Sequence, residues 1–328
     1  MLPDKFRGTL SSSQFIEAAT DSLSSIGQVT GHVVSDGGEG LIEALAGTQV
    51  RVSVRDPLMR SIDAYYAVLS NGDAVVEMSR ASGLELLGGP KGNDPIAATT
   101  YGTGQLIRAA IEAGAQRVIV GCGGSATTDG GIGALEALGP RTSSQRVSII
   151  AAVDVRTTYL DAAGAFSPQK GATPAQVAYL KRRLAGSANL LEQRYGRNPI
   201  GVVGSGAAGG LAGMIYSIGG SIVPGFDLVA DYLNLEEQAS KTDLMITGEG
   251  TLDVESFNGK VVGSVLALAA SVGKKTLVVC GRVDKRARDL LNEYDADVIE
   301  LVEEFGEDRA ISETGVCVRE ALSNVGHV

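Results

Sequence analysis

Residues 121–139 read GCGGSATTDGGIGALEALG and follow the apolar run RVIV at 117–120. Fixing a glycine costs backbone entropy, so a cluster of them needs a reason. One reason is a tight turn, and the other is close approach of an anion to bare N–H groups. The loop offers backbone donors at Gly123, Gly124 and Ser125, hydroxyls at Ser125, Thr127 and Thr128, and a carboxylate at Asp129. That inventory suits a phosphate with Mg²⁺, since hard cations take oxygen ligands. It suits equally a strand-to-helix turn in which Asp129 caps the helix. Two other stretches repeat the theme, VVSDGGEG with Asp36 and Glu39, and LMITGEGTLD with Glu249 and Asp253. One acid beside glycines is usually a turn; three such loops at strand ends point to a shared polar site.

The run SIIAAVDV places Asp154 in an otherwise apolar strand. A carboxylate there must be paired, bound to metal or at the strand end, because burying it alone is costly. It is a candidate base or metal ligand, or else a cap for the next turn. Lys170 in FSPQKGAT, and Lys5 and Arg7 in PDKFRGTL, each precede a helix. They can neutralise a phosphate or a substrate carboxylate, although most lysines are merely solvated.

Other chemistries are poorly supplied. FNGKVV lacks the upstream glycine and the hydroxyl of a Walker A loop, and there is no GxSxG elbow. His32 and His327 are the only histidines, which removes a Ser-His-Asp triad. GSGAAGG at 204–210 lacks the downstream acid of a dinucleotide site. Cys122, Cys280 and Cys317 have no zinc spacing and read as reduced cytosolic thiols. A net charge of −10 argues against a nucleic-acid partner. No apolar run reaches membrane-spanning length and no signal-peptide pattern opens the chain, so a cytoplasmic location is expected.

The elements that must carry these loops alternate. At 328 residues with 44% hydrophobic side chains, two globular domains are expected. A helix is expected over Ser11–Leu23, capped by Ser11, Ser12 or Ser13, then a strand in GHVVSDGGEG and a helix in EGLIEALAG. Residues 50–79 alternate apolar and polar with turns at RDP and NGD, which predicts an antiparallel meander. Helices follow in TTYGTGQLIRAAIEAGAQ, PAQVAYLKRRLAG and GAAGGLAGMIYSIGG, with strands in RVIVG and RVSIIAAVDV. From Thr242 the order is strand, helix, strand, helix, strand, and a last helix over 308–322. This alternation predicts a doubly wound parallel sheet of Rossmann or flavodoxin type built from residues 1–48 and 241–328. A second α/β domain, residues 49–240, would be inserted in it. The chain starts on the polar loop that normally follows a first strand, so that strand is either missing or the sheet lacks one edge.

Taken in order, PDKFRGTLS, DGGEG, YGTGQLI, GCGGSATTDGG, SPQKGAT, GAAGGLAGM and TGEGTLD resemble the class I glycerate kinase family over most of the chain. The resemblance implies two α/β domains with the site between them. It also implies phosphorylation of D-glycerate by ATP with Mg²⁺, giving 2-phosphoglycerate or 3-phosphoglycerate. It singles out Asp4, Asp36, Gly37, Gly38, Gly123, Gly124, Ser125, Asp129, Asp154, Gln169, Lys170, Gly171, Glu249 and Asp253. The expected roles are catalysis by Asp154, Asp36 and Lys170, and substrate binding by Asp4, Lys5, Arg7, Gly37, Gly38 and Gln169. Gly123, Gly124, Ser125, Thr127 and Gly171 would hold the nucleotide, and Asp129, Glu249 and Asp253 the metal. The partner would be a small molecule, on a monomer or homodimer. Two departures stand out: Lys5 and Arg7 replace the family's Ser and Lys, and only PRTSSQ joins Leu138-Gly139 to the Asp154 strand. They motivate the alternative of a non-catalytic nucleotide or sugar-acid binding protein of the same fold.

Overall fold

Period-two alternation and two tight turns build the first sheet. Strands β1 (Thr48–Arg55) and β2 (Ser61–Val68) pair antiparallel from Thr48 opposite Val68 to Arg55 opposite Ser61. The turn between them is fixed by buried Asp56, whose Oδ1 accepts from Leu58 N and Arg60 N at 2.9 Å each. Strand β3 (Ala74–Glu77) is antiparallel to β2, as the meander predicts. Then β4 (Arg117–Gly121), β5 (Ser148–Val153) and β6 (Ser221–Pro224) continue the sheet in parallel, in the order β1-β2-β3-β4-β5-β6. Parallel neighbours need crossovers, and helices including Tyr101–Glu112, Ile132–Leu138 and Ala207–Ser217 fall within them. Val76, Val118, Val120 and Ala151 pack with Leu106, Ile107, Leu184 and Leu211 in one buried cluster.

A second, all-parallel sheet has the order β7 (Leu244–Leu252), β8 (Lys275–Val283), β9 (Ala296–Glu300). Successive strand residues face opposite sides. Leu277 and Val279 pack with Phe15, Val318 and Leu322, while Val278 and Cys280 pack with Leu252, Val262 and Leu266. Helices therefore cover both faces, which is the doubly wound arrangement. Ser11 caps the helix Ser12–Leu23 in a capping box with Gln14. Residues 2–4 run beside β7, with Leu2 N donating to Ile246 O and Asp4 N to Gly248 O at 2.8 Å each, so this side of β7 is covered.

The structure, a computed structural model, describes residues 1–6, 8–139, 147–323 and 325. The chain forms two units: residues 1–35 with 229–328, carrying β7–β9, and residues 36–228, carrying β1–β6. Residues 40–42 group with the latter because Gly40 N and Ile42 N both donate to Glu77 at the end of β3.

Some elements differ from the sequence reading. No strand forms over 31–40, although His32 N donates to Met1 O at 2.9 Å. Strand β6, only four residues long, was not anticipated. The last helix is two, Glu307–Ser312 and Thr314–Ser323, broken at Glu313. The helix at 174 runs to Tyr195, well past its amphipathic start, and ends at Gly196 with φ 74°. In Ala207–Ser217 the first residues are not α-helical, since Ala208, Gly209 and Gly210 have φ of 54°, 63° and 99°. The cause is a close backbone approach, because a Cβ built on Gly209 would lie 2.0 Å from Thr127 O. Gly209→Ala is expected to cost about 2–3 kcal/mol of stability, combining overpacking with a left-handed alanine. Urea unfolding measures this, and a loss below 0.5 kcal/mol would contradict the packing described.

Candidate active site

Glycines bring two of the three acidic loops into one place. A Cβ on Gly123 would sit 2.5 Å from Gly38 Cα, and one on Gly225 would sit 2.0 Å from Asp36 O. A Cβ on Gly37 would meet both Ala152 C and Gly225 Cα at 2.9 Å. The SDGG loop thus packs backbone to backbone against the carboxyl ends of β4, β5 and β6. Such ends of parallel strands are where open α/β sheets bind ligands. Asp36 Oδ1 accepts from Gly38 N at 3.2 Å. Asp154 follows Val153, the last residue of β5. Its negative charge adds to burial in raising the thiol pKa of Cys122, so it lies within electrostatic reach of the residue before Gly123.

Two residues here escaped the sequence reading. Glu77, 1% exposed, ends β3 and accepts from Gly40 N and Ile42 N at 3.0 Å through Oε1. Its Oε2 holds Arg80 Nε at 2.7 Å, and Arg80 lies over the Tyr65 ring, 4.3 Å from its centroid. The signal was present: AVVE is an apolar strand ending in a carboxylate, as is the strand that led to Asp154.

The loop after β4 has an open part and a closed part. Gly123, Gly124 and Ser125 are partly exposed, and their N–H groups have no hydrogen-bond partner among the described residues. Ala126 turns the chain inward, its N–H bonded to Ser82 O at 2.9 Å. Thr127 is 0% exposed, so its expected contact with nucleotide is not met: the side chain lies inside the protein. Asp129 is likewise corrected as a metal ligand. It is 1% exposed and takes five donors, Thr99 Oγ1, Thr100 N, Thr100 Oγ1, Gly131 N and Gly133 N, at 2.8–3.3 Å. Those bonds cap the start of the helix Ile132–Leu138.

Lys170 is 3% exposed. Its Nζ donates to Ser125 Oγ and Thr127 O at 2.7 Å each. Burial pulls its ammonium down to about 7, with the charge of Asp129 opposing the fall. Gln169 and Gly171 are exposed. Gly171 makes the turn after Lys170, with φ 93° and no room for a Cβ beside Pro90 O.

The remaining candidates lie in the other unit. Asp4 Oδ1 accepts from Lys5 N at 2.7 Å. Asp253 Oδ1 accepts from Ser256 N at 3.1 Å, capping the short turn Val254–Phe257. Glu249, in β7, is pushed up to about 7, chiefly by burial and further by the charges of Asp4 and Asp253. A Ser256 hydrogen bond and Lys260 pull the other way. Its Oε1 is buried without a partner. Arg7 and the PRTSSQ connection lie outside the described residues. No group of three or more His, Cys, Asp or Glu among the described residues could hold a metal ion. Mg²⁺ needs only one or two carboxylates when phosphates complete its shell, and the orphaned Glu249 oxygen with acidic neighbours fits that demand. Among the described residues no helix is long and apolar enough to cross a membrane.

Comparison with other proteins places this geometry. The glycerate kinase family model matches residues 1–147 and 140–328. The chain belongs to the glycerate kinase family. It is 33% identical over 319 residues to the glycerate 2-kinase of Escherichia coli (strain K12), covering 85% of this chain and 84% of the relative. The glycerate kinase of Bacillus subtilis (strain 168) is 32% identical over 323 residues, covering 86% and 84%. A solved structure from Salmonella typhimurium LT2, named for the same activity, has a TM-score of 0.79 at 29% identity. It covers 99% of this chain and 96% of its own. Membership of this family makes the chain a kinase, with the α/β fold expected.

Proposed function

We propose that this kinase transfers the γ-phosphoryl group of ATP to a hydroxyl of D-glycerate, with 2-phosphoglycerate as the product. The observation that carries the reading is family membership over the whole chain, together with exposed, unbonded N–H groups at Gly123, Gly124 and Ser125. Phosphoryl transfer asks a protein mainly for positioning and charge neutralisation. In this reading the three N–H groups receive phosphate oxygens of the nucleotide, and the SDGG loop beside them positions the acceptor. Asp154 orients the acceptor hydroxyl and takes its proton, with Asp36 as the other candidate. Gln169 is proposed to meet the glycerate carboxylate. Glu249, with Asp4 and Asp253 nearby, is proposed to hold the cation. Mg²⁺, when bound, supplies charge neutralisation.

The test is ADP release from ATP and Mg²⁺ with D-glycerate, L-glycerate, glycerol or no acceptor. Release with D-glycerate alone is expected, and phosphorus NMR of the same sample identifies the phosphorylated hydroxyl. Folded protein that binds ADP but releases none with any acceptor would replace this reading with that of a binding protein.

A further inference from the structure

We propose that Lys170 is a positioning residue for the nucleotide: with Asn93 it clasps residues 125–127, and it acts through the exposed N–H groups of Gly123–Ser125 rather than by touching a phosphate. The inference rests on the nucleotide half of the function proposed above. Its basis is the way one ammonium and one amide seize three consecutive residues. Lys170 Nζ bonds Ser125 Oγ and Thr127 O at 2.7 Å each. Asn93 Nδ2 spans the gap between them, bonding Ala126 O at 3.0 Å and Lys170 O at 2.9 Å. Thr128 Oγ1, one residue on, sits 3.1 Å from Ser167 Oγ.

Three observations set this apart from ordinary loop packing. First, an ammonium has three donors and no acceptor, and here two of them are committed inward to the loop. Second, Lys170 is almost without exposed surface, whereas Gly123–Ser125 are open. A side chain buried behind the loop is badly placed to meet a solvent-borne phosphate in front of it. Third, enclosing a cationic amine is costly, and a site spends that cost where it gains order. Two glycines precede Ser125, so the loop's intrinsic disorder is high. Anchoring it before the ligand arrives lowers the entropy lost on binding.

The experiment compares wild type, Asn93→Ala, Lys170→Met and the double variant. It measures ADP affinity by calorimetry and KM for ATP and glycerate in turnover. Both single variants are expected to weaken ADP and raise the KM for ATP, by about 3–10-fold for Asn93→Ala and 10–100-fold for Lys170→Met. The KM for glycerate should stay within 2-fold. Because both changes release one clasp, the double variant should be no worse than Lys170→Met, a non-additivity expected of residues in one network. Normal ADP affinity in Asn93→Ala beside a large loss in Lys170→Met would overturn the clasp in favour of direct phosphate contact. A lowered melting temperature with unchanged KM values in both would overturn it in favour of a purely structural role. If Lys170→Met does not fold, Asn93→Ala alone decides, since normal nucleotide KM and affinity there sink the proposal. Wild type that binds ADP but turns over no acceptor would remove the kinase reading, and the calorimetry would still decide on the clasp.

Discussion

Asp129→Ala is expected to lower unfolding free energy by about 3–5 kcal/mol, the largest stability loss of any single change in the site. The carboxylate is fully enclosed and both oxygens are saturated. Oδ2 accepts from Thr100 N and Thr100 Oγ1 at 2.8 Å, Gly133 N at 3.2 Å and Thr99 Oγ1 at 3.3 Å, while Oδ1 accepts from Gly131 N at 3.0 Å. The helix Ile132–Leu138 starts at Gly131, which has no side chain to cap it. Asp129 performs that service from two residues upstream, and Thr100 Oγ1 extends it by accepting from Ala134 N at 2.9 Å. Alanine would strand these donors in a dry interior, where each unmade bond costs about 1–3 kcal/mol. Relaxation and entering water recover part of the sum. Asn at the same position keeps one acceptor oxygen and should lose roughly half as much. Urea denaturation of the three proteins measures the series. A loss under 1 kcal/mol in Asp129→Ala, with altered Mg²⁺ dependence, would return Asp129 to the metal ligands and refute its role as a cap.

How far such a site can be read beforehand depends on where its determinants lie along the chain. The hairpin β1–β2 was legible because alternation and the RDP turn are local, and β7–β9 because apolar runs alternate with amphipathic helices. Strand β6 has four residues and no alternation, so nothing local announced it. The left-handed start of Ala207–Ser217 is set by the Thr127 carbonyl, some 80 residues away. The same limit governs the site. That GCGGSATTDGG is a loop was plain, yet the division into open Gly123–Ser125 and closed Thr127–Asp129 was not. That division is made by Ser82, Asn93 and Lys170, each distant in sequence. Three acidic glycine loops pointed to one shared polar place. SDGG and GCGG do meet, because their glycines admit backbone contact. Glu249 instead gathers with Asp4 and Asp253 in the other unit.

Asp154→Asn is the change expected to cost most in rate, with kcat falling by about 10²–10⁴-fold while the melting temperature stays within a few degrees. The strand predicts the small structural effect. Val153 is the last paired residue of β5, matched to Pro224 of β6, so Asp154 stands just past the ladder and an isosteric amide fits there. Its environment predicts the large kinetic effect. The carboxylate's charge is felt at Cys122, beside the loop whose free N–H groups are proposed to take the phosphates. An acceptor hydroxyl between that loop and Asp154 would lie where its proton can leave as the phosphoryl group arrives. Asn can still accept a hydrogen bond but cannot take the proton, so it separates orientation from proton transfer. If Asp154 takes the proton, the wild-type rate falls at acid pH as the carboxylate is neutralised, and the residual rate of the Asn variant loses that dependence. If it only orients, the variant keeps a rate within about 10-fold. Phosphoryl transfer passes through a loose transition state, so a loss of only about 10-fold would say that orientation carries most of the role. A kcat within 3-fold of wild type would exclude Asp154 altogether and move the assignment to Asp36, whose Asn variant should then show the loss.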